Sequence, residues 1–336
     1  MKLLSITVPC YNSQEYMRKA VDSLLPGGEE VEILIVDDGS TDATAEIADE
    51  YEKRWPGIVR ALHKENGGHG DAVMTGLRAA QGLYFKVVDS DDWLDSDALL
   101  RVLETLRGFQ EQPIDMLISH YTYEKVCENK QHTVTYHVPL PTGRVFSWEE
   151  TRRFRLGQYL LMHAVIYRTE MLRNSGLDLP KHTFYVDDLY VYVPLQHVER
   201  MYYLDVDLYH YYIGRQDQSV QEEVLMRRID QYLLVNRLMV SQVDPFAVPG
   251  KKRQRYMLSF LEIITAVSSV LLVKIGTEES LRKKDELWAF IERENPRVYR
   301  ELRGCLLGKV AHLPGKFGRF VMLTSYRISR KIVAFN

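Results

Sequence analysis

The first hundred residues alternate short apolar runs with segments whose apolar positions recur at helical spacing. The apolar runs cover residues 3–9, 31–38, 59–64 and 83–89. The segments with helical spacing cover residues 13–25, 41–55, 70–82 and 96–108. Strand–helix alternation with short connections predicts a mainly parallel α/β sheet joined by right-handed crossovers. The run at 31–38 is apolar until its final aspartates, which is typical of a strand covered on both faces.

Residues that favour helix ends lie near the predicted helix boundaries. Ser13 is a candidate N-cap of the first helix, and Ser40 or Thr41 of the second. Gly82 is placed to close the third helix, as Gly108 is to close the fourth.

The pattern changes after residue 114. Extended segments are predicted at 115–126, 132–138, 162–168 and 200–213, the first two as a hairpin or an antiparallel addition to the sheet. Helices follow at 222–243, 251–274 and 278–293, and then a tail. We predict two domains, 1–220 and 221–336. The apolar segment 256–276 is long enough to span a bilayer, but Glu262 and several hydroxyl residues interrupt it, so a buried helix is the preferred interpretation and a membrane span the alternative.

Composition narrows the class of protein only a little. The formal net charge of −3 over 336 residues gives no reason to expect a nucleic-acid partner. Cys10, Cys127 and Cys305 are far apart and form no C-x-x-C pair, so the sequence predicts neither a disulfide framework nor a zinc site. The apolar run at the N-terminus is short and ends at Pro9, unlike a secretory signal peptide. A cytoplasmic location is the expectation.

Polar clusters follow three of the predicted strands. They read "PCYN" after the first, "DDGSTD" after the second and "DSDD" after the fourth. Ligands of open α/β sheets bind beyond the carboxyl ends of the strands. The three clusters are therefore predicted to open into one crevice.

Four aspartates crowd the end of the fourth strand, in the stretch "VVDSDDWLD". Like charges this close repel one another. A hard cation such as Mg²⁺ or Mn²⁺ is often held by one or two carboxylates together with substrate phosphates. Asp89, Asp91 and Asp92 are candidates for that role. The alternative is that these residues cap the next helix, a role expected of Asp95 or Ser96.

Three further features suggest chemistry. A carboxylate of the pair Asp37–Asp38 can accept hydrogen bonds from a nucleobase or a ribose. The glycine-rich stretch "NGGHGDAVMTG" can bring backbone amides close to phosphate, although it matches neither G-x-G-x-x-G nor a P-loop. Asp187 and Asp188 lie among apolar and aromatic residues, so one can serve as a general base, the alternative being a helix cap, which is expected more of Asp187.

Taken together, these motifs resemble the family 2 glycosyltransferases of the GT-A fold. "TVPCYN", "VDDGSTD", "NGG", "AAQGLYFKVVDSDDW" and "FYVDDL" occur in the family's order and spacing across roughly residues 3–220. The resemblance implies a mixed, mainly parallel α/β sheet flanked by helices, with the C-terminal helices as a separate domain. It also implies inverting, Mn²⁺- or Mg²⁺-dependent transfer from a nucleoside diphosphate sugar, with UDP the commonest nucleotide.

The resemblance assigns roles residue by residue. Asp188 corresponds to the catalytic base, with Asp187 where glutamate is usual. The expected nucleotide-sugar contacts are Pro9, Tyr11, Asn12, Asp37, Asp38, Asn66, Gly68, His69, Asp89, Ser90 and Arg215. The expected metal ligands are Asp91 first, then Asp89, Asp92 and His210. Val73 and Met74 stand where many members carry an Arg-Asn pair.

Two rival functions remain open from the sequence: a sugar nucleotidyltransferase and a non-catalytic binding module. Residues 304–336 contain no Asp or Glu and interleave basic with apolar residues, which is typical either of a membrane-surface segment or of a helix packed on its own domain. We therefore expect a glycan or lipid-linked acceptor, with peripheral contact at the inner face of the plasma membrane as one possibility.

Overall fold

The computed structural model describes residues 2–125, 130–155, 158–214, 221–313 and 315–333, with side chains through residue 327. The chain divides into two compact units. The first comprises Met1–Arg152 and Leu160–Arg215, and the second comprises Arg153–Tyr159 and Gln216–Asn336. The predicted boundary at residue 220 lies outside the described residues. No sequence pattern indicated that the segment 153–159 belongs with the C-terminal helices.

Ten strands of the first unit's described residues form one sheet in the order β3-β2-β1-β4-β9-β6-β10-β5, with β7 beside β6 and β8 beside β10. The strands are β1 (Leu4–Cys10), β2 (Val31–Asp37), β3 (Val59–His63), β4 (Tyr84–Val87), β5 (Trp93–Leu94), β6 (Met116–Lys125), β7 (Lys130–Val134), β8 (Val145–Phe146), β9 (Val165–Arg168) and β10 (Met201–Ile213). The helices of this unit are α1 (Met17–Leu24), α2 (Thr44–Arg54), α3 (His69–Ala79), α4 (Ser96–Arg107), α5 (Thr169–Arg173) and α6 (Asp187–Tyr192).

The first four strands form the parallel half of the sheet. β1 pairs in parallel with both β2 and β4, and β2 pairs in parallel with β3. Every residue of β1, β2 and β4 is buried, as their continuous apolar character predicts for strands covered on both faces. The carboxyl ends of these strands therefore lie along one edge of the sheet.

The remaining strands make the sheet mixed. β9 runs antiparallel between β4 and β6, and β10 is parallel to β6. The predicted hairpin is confirmed, since β7 pairs antiparallel with β6. β10 carries register shifts between Tyr203 and Asp207 and again between Asp207 and Tyr209. These irregularities change which side chains of β10 face each side of the sheet.

Three predicted helix ends are wrong, and tertiary contacts explain why. α1 begins at Met17 rather than at Ser13, whose hydroxyl instead lies 2.8 Å from that of Ser90. α2 begins after Ala43, so neither Ser40 nor Thr41 is its N-cap. Gly82 lies beyond α3, where a Cβ would approach the Ser5 nitrogen to 2.5 Å, so it serves close packing against β1.

At α4 the predicted caps are confirmed. The Asp95 carboxylate accepts the Ala98 N–H at 2.8 Å as the N-cap of α4. Gly108 is the C-cap of the same helix.

The second unit is helical in its described part. Its helices are α7 (Glu222–Arg227), α8 (Ile229–Gln242), α9 (Lys251–Ile275), α10 (Glu278–Glu294), α11 (Pro296–Gly304), α12 (Leu306–Ala311) and α13 (Gly315–Val333). The predicted helix 222–243 is therefore two helices, separated at Arg228.

The central helix of this unit is α9. It contacts α8, α10, α11, α12 and α13. Among the described helices, α9 is the one long and apolar enough to cross a membrane, but 67% of its apolar window is buried inside the structure. Core helices of soluble proteins pass the same length and composition test. The packing of α9 favours the buried helix predicted from its sequence.

Candidate active site

The polar clusters at the three strand ends meet, as the sequence predicted. The Ser13 hydroxyl after β1 lies 2.8 Å from the Ser90 hydroxyl after β4. Asn12 donates its N–H to the Ser40 hydroxyl after β2 at 3.0 Å, and its side-chain oxygen accepts the Thr41 N–H at 2.8 Å. Asn12 has a positive φ of 50°, a conformation that asparagine tolerates better than most residues. Hydrogen bonds thus hold the edge of the crevice together.

Two residues at the end of β1 differ in exposure. Pro9 lies inside β1 beside Val36 and is buried. Tyr11 is 54% exposed, which is unusual for a large ring. An exposed aromatic face at the carboxyl edge of a parallel sheet can stack on a planar base.

Asp37 forms hydrogen bonds close to the turn that follows β2. The carboxylate is buried, accepts the Ser40 N–H at 3.0 Å and lies 3.2 Å from Nδ1 of His63. Both oxygens therefore have protein partners, and Asp37 shapes the loop that follows β2.

Asp38 anchors the glycine-rich turn. Its carboxylate accepts the N–H groups of Gly67 and Gly68 at 2.9 and 2.7 Å, and the Lys64 ammonium also donates to it. Its backbone carbonyl accepts from the Asn66 side chain at 2.9 Å. Since Asp38 is only 2% exposed, a nucleobase that binds it has to share the carboxylate with this turn.

The glycine-rich turn is also held from the opposite side. His182 donates its N–H to the Gly67 carbonyl at 2.7 Å. Gly68 has a φ of 84°, and a Cβ there would lie 3.0 Å from the His182 nitrogen. Both the conformation and the close approach require glycine at this position.

Asp89 lies between two imidazoles. Its oxygens are 2.7 Å from Nε2 of His69, the first residue of α3, and 3.8 Å from Nε2 of His163. Burial alone would raise the pKa of Asp89, but the two imidazoles outweigh burial and hold that pKa well below its usual range. Burial lowers the pKa of His69, but the Asp89 carboxylate raises it by more, so the net shift is upward. Each group therefore favours the charged form of the other.

Asp92 is buried beside Asp89, and its pKa shifts in the opposite direction. The Tyr209 hydroxyl donates to one Asp92 oxygen at 2.5 Å, and the Tyr212 N–H donates to the other at 2.8 Å. Burial, together with the Asp91 and Asp89 carboxylates, raises the pKa of Asp92 well above its usual range. The crowding inferred from the sequence is therefore present in the fold.

Asp187 and Asp188 occupy the first turn of α6, whose N-cap is Val186 without a side-chain hydrogen bond. The prediction that Asp187 is an N-cap is wrong. Burial raises the pKa of Asp187, while His163 and His69 partly oppose the rise. Burial and the Asp187 charge raise the pKa of Asp188 well above its usual range. A carboxylate with a raised pKa is a stronger base and is better suited to accept a proton.

The structure places His210 away from these carboxylates. Its Nδ1 lies 2.7 Å from Glu124, and its ring stacks on Trp93 at 5.3 Å. Among described residues, the candidate metal group beside Asp89 contains Asp92 and His163, not His210. The predicted donor contact Arg215 lies outside the described residues.

Two buried residues of this site were not among those predicted from the sequence. His163 precedes β9 and stacks with Tyr211 at 4.4 Å between ring centres. Lys86 is fully buried in β4 and donates to the His163 carbonyl at 2.8 Å. No motif marks His163, but a lysine inside the apolar run "YFKVV" was a signal of a buried functional or structural cation.

The buried lysine gives a testable pH dependence of stability. Burial lowers the pKa of Lys86 from 10.5 to about 7, although Asp89 opposes the change. Above pH 7 the folded state has released this proton while the unfolded state still holds it, so stability rises with pH up to the unfolded pKa. We compare the free energies of unfolding of wild type and Lys86→Met in urea. We expect the difference in favour of wild type to increase by about 3 kcal/mol between pH 7 and pH 9.5. Lys53→Met, at an exposed lysine of α2, should keep the pH dependence of wild type. If the free energy of unfolding of Lys86→Met depends on pH as that of wild type does, the low pKa assigned to Lys86 is contradicted.

The donor atoms present fit a hard divalent cation. Oxygens of Asp89 and Asp92 and a ring nitrogen of His163 lie within 4.8 Å of one another, and Asp91 lies on the same turn. Burial and the neighbouring carboxylates raise the pKa of Asp92, and a bound cation would offset both effects. Carboxylate oxygen is the ligand that Mg²⁺ and Mn²⁺ prefer.

Comparison with known proteins identifies the domain. Residues 5–169 match the family model described as "Glycosyl transferase family 2". The "Putative glycosyltransferase EpsH" of Bacillus subtilis is 30% identical over 210 residues, covering 58% of this chain and 60% of EpsH. "Poly(ribitol-phosphate) beta-N-acetylglucosaminyltransferase TarS" of Staphylococcus aureus is 22% identical over 304 residues, covering 89% of this chain and 51% of TarS. The chain thus spans about half to three fifths of these relatives.

Solved structures share the fold. Residues 1–349 of S. aureus TarS, in complex with UDP-GlcNAc, match with a TM-score of 0.71 at 20% identity, covering 98% of this chain and 92% of that one. The mannosyltransferase PcManGT of Pyrobaculum calidifontis, in complex with GDP-Man and Mn²⁺, matches with a TM-score of 0.53 at 12% identity, covering 96% and 86%. The fold is the GT-A fold that the motifs predicted. Residues 5–169, just under half of the chain's 336 residues, thus form a domain that matches glycosyl transferase family 2.

Proposed function

We propose that this protein transfers a sugar from a UDP-sugar to an acceptor hydroxyl, with inversion at the anomeric carbon. The observation that carries the proposal is that Asp187 interacts electrostatically with His69 and His163. These are the two imidazoles that also contact Asp89. The candidate base pair and the candidate donor pair therefore belong to one site. A site that only bound a nucleotide sugar would have no need of the second carboxylate pair.

The nucleotide is assigned to the edge formed by β1 and β2. Tyr11 offers an exposed ring to the base, and Asp38 holds the glycine-rich turn within reach of the ribose and phosphates. UDP is favoured because the TarS match was solved with UDP-GlcNAc, and that likeness covers 98% of this chain. We propose no sugar beyond this class.

Asp91 and Asp89, with Asp92 beside them, are the residues that would hold Mn²⁺ or Mg²⁺. When bound, the cation would neutralise charge on the departing diphosphate. The protein's own part is to orient these carboxylates: the Tyr209 hydroxyl and the Tyr212 N–H fix Asp92, and His69 fixes Asp89.

Asp188 is proposed to take the proton of the acceptor hydroxyl, with Asp187 beside it. Both lie in the first turn of α6, where the helix dipole favours a negative charge. The acceptor oxygen attacks the face opposite the leaving diphosphate through an oxocarbenium-like transition state, so that the configuration inverts.

One assay separates this function from its rivals. The protein is incubated with UDP- and GDP-sugars and Mn²⁺, and the released phosphate species are identified. Release of a nucleoside diphosphate supports the transferase, whereas pyrophosphate would indicate a nucleotidyltransferase. Donor binding without turnover across a panel of acceptors would indicate a binding module.

The acceptor is proposed to be a cell-envelope or exopolysaccharide glycan, free or lipid-linked. The name of TarS, which specifies poly(ribitol-phosphate), supports an envelope polymer as the acceptor class. A cytoplasmic site of action at the inner face of the plasma membrane follows from such an acceptor, since nucleotide sugars are the donors.

The C-terminal helices carry features that favour membrane contact. Leu306, Leu313, Phe317 and Phe320 are 71%, 38%, 74% and 64% exposed. Lys309 and Lys316 are exposed on the same helices, α12 and α13. Exposed apolar rings among basic residues are typical of segments that lie on an anionic bilayer.

We expect Phe317→Ser/Phe320→Ser to lower binding to anionic phosphatidylglycerol vesicles by about tenfold or more, because burial of one phenylalanine contributes at least that much. Vesicle sedimentation measures the partition coefficient. Leu234→Ser, an exposed apolar residue of α8, is the matched control and should bind like wild type. Equal binding by wild type and the double variant would exclude this surface as the membrane contact.

A further inference from the structure

Two histidines and two aspartates form a cluster on the sheet that the proposed transfer does not use. His120 lies on β6, Asp205 and Asp207 on β10, and His137 in the connection after β7. Each of three residues, His120, His137 and Asp205, offers one ligand atom, and these atoms lie within 4.8 Å of one another. The His120 side chain is 5% exposed, while those of His137 and Asp205 are 48% and 52% exposed. The cluster is therefore anchored on a buried imidazole and open to solvent.

This cluster is on the opposite face of the sheet from Asp89. Adjacent residues of a strand point to opposite faces. Tyr121, which follows His120, has its ring 5.8 Å from that of His163 in the site described above. His120 consequently points away from that site.

The hydrogen bonds of His120 are compatible with a neutral ring protonated at Nδ1. Nδ1 lies 2.9 Å from the Asp207 carboxylate, which can accept its proton. The Tyr203 hydroxyl accepts the Tyr136 N–H at 3.0 Å and can donate its own hydrogen to Nε2 of His120. In this tautomer Nε2 carries a lone pair. A carboxylate behind an imidazole in this way is the arrangement that orients histidines toward metals.

The spacing of the candidate ligand atoms matches a tetrahedral cation. Oδ1 of Asp205 is 3.3 Å from Nε2 of His120 and 3.6 Å from Nε2 of His137. Two ligands of a tetrahedral zinc ion, with bonds of 2.0–2.1 Å, are about 3.4 Å apart. If both rings are neutral with an unprotonated Nε2, these atoms do not attract one another, and a cation between them would account for their convergence.

We propose that His120, His137 and Asp205 bind one zinc ion, with water as the fourth ligand. Two imidazoles and one carboxylate suit Zn²⁺ better than Mg²⁺ or Mn²⁺, which prefer oxygen. The Tyr203 hydroxyl lies beside Nε2 of His120 and 3.5 Å from Nδ1 of His137, so the ion would take the place of this hydroxyl at Nε2. The ion would join β6, β10 and the connection after β7. The cysteine pattern gave no indication of this site because no cysteine takes part.

The test is a zinc titration of untagged, full-length protein after chelator treatment and dialysis. By isothermal titration calorimetry, wild type should bind one more equivalent of Zn²⁺ than His137→Ala. Zinc should also raise the unfolding temperature of wild type more than that of His137→Ala. His132→Ala, an exposed histidine outside the cluster, is the matched control and should behave as wild type. Any zinc at the aspartates near His163 is common to all three proteins and cancels.

A second variant probes the carboxylate behind the imidazole. Asp207→Ala should keep the stoichiometry but weaken zinc affinity by about 10- to 100-fold. Unfolding temperatures in EDTA check that the variants are folded, and Asp205→Asn replaces His137→Ala if that variant is not. If wild type and the ligand variants bind equal equivalents of zinc, the cluster is a protonated imidazole–carboxylate network and the proposal fails.

Discussion

Asp188→Asn should abolish sugar transfer while UDP-sugar binding survives. Asparagine keeps the size of the side chain but cannot accept the acceptor proton as a carboxylate does. Loss of a general base lowers kcat by about 10²- to 10⁴-fold. Because burial and Asp187 raise the pKa of Asp188, the wild-type rate should fall as the pH drops through a midpoint well above that of an ordinary aspartate. Stopped assays of transfer across pH, with calorimetric donor titration, measure both quantities.

The neighbouring carboxylate makes this experiment decisive. Asp187 is the more exposed of the two and interacts with His69 and His163, so Asp187→Asn should lose less activity and alter the donor side of the site. Asp178→Asn, at an exposed position before α6, controls for the change of charge and should match wild type. Turnover near wild type in Asp188→Asn, with loss in Asp187→Asn, would move the base by one residue.

The parallel half of the fold could be predicted because its signals are local. Continuous apolar runs separated by helical periodicity define β1 to β4, and polar residues at the strand ends then meet at one edge. The helix caps could not be predicted in the same way. Ser13 has the chemistry of a cap, but Ser90, far along the chain, competes for its hydroxyl. A short-range preference of about 1 kcal/mol is easily outweighed by such tertiary contacts.

Of the residues whose surroundings the sequence did not reveal, His163 and His210 belong to the mixed half of the sheet, whereas Lys86 lies in β4. His210 was expected among the metal ligands from the resemblance of its segment, but that segment follows a register shift of β10 between Asp207 and Tyr209. One such shift exchanges the faces of every later residue, so alternation counted from sequence fails there. His163 reaches Asp89 only because β9 inserts antiparallel between β4 and β6, a pairing that no local pattern specifies.

The second large effect is expected at the acidic turn. Asp91→Asn should lower transfer by about 10²- to 10³-fold and raise the Mn²⁺ concentration needed for half-maximal activity by about tenfold or more. The physical reason is the loss of one full charge where a cation and a diphosphate are to be held. Initial rates across a Mn²⁺ series, after EDTA treatment, measure the change, and excess Mn²⁺ should restore part of the activity.

The same substitution should make the metal-free protein more stable. Asp91 and Asp89 are the charges that, after burial, raise the pKa of Asp92, so removing one relieves repulsion inside the turn, although it also removes an attraction between Asp91 and His69. We expect a gain of about 1 kcal/mol in urea unfolding with EDTA present. Asp97→Asn, an exposed carboxylate in the first turn of α4, removes a charge outside the turn and should give neither effect. Lower stability of Asp91→Asn without metal would mean that the crowded carboxylates stabilise the turn by themselves, and the need for a cation there would lose its physical basis.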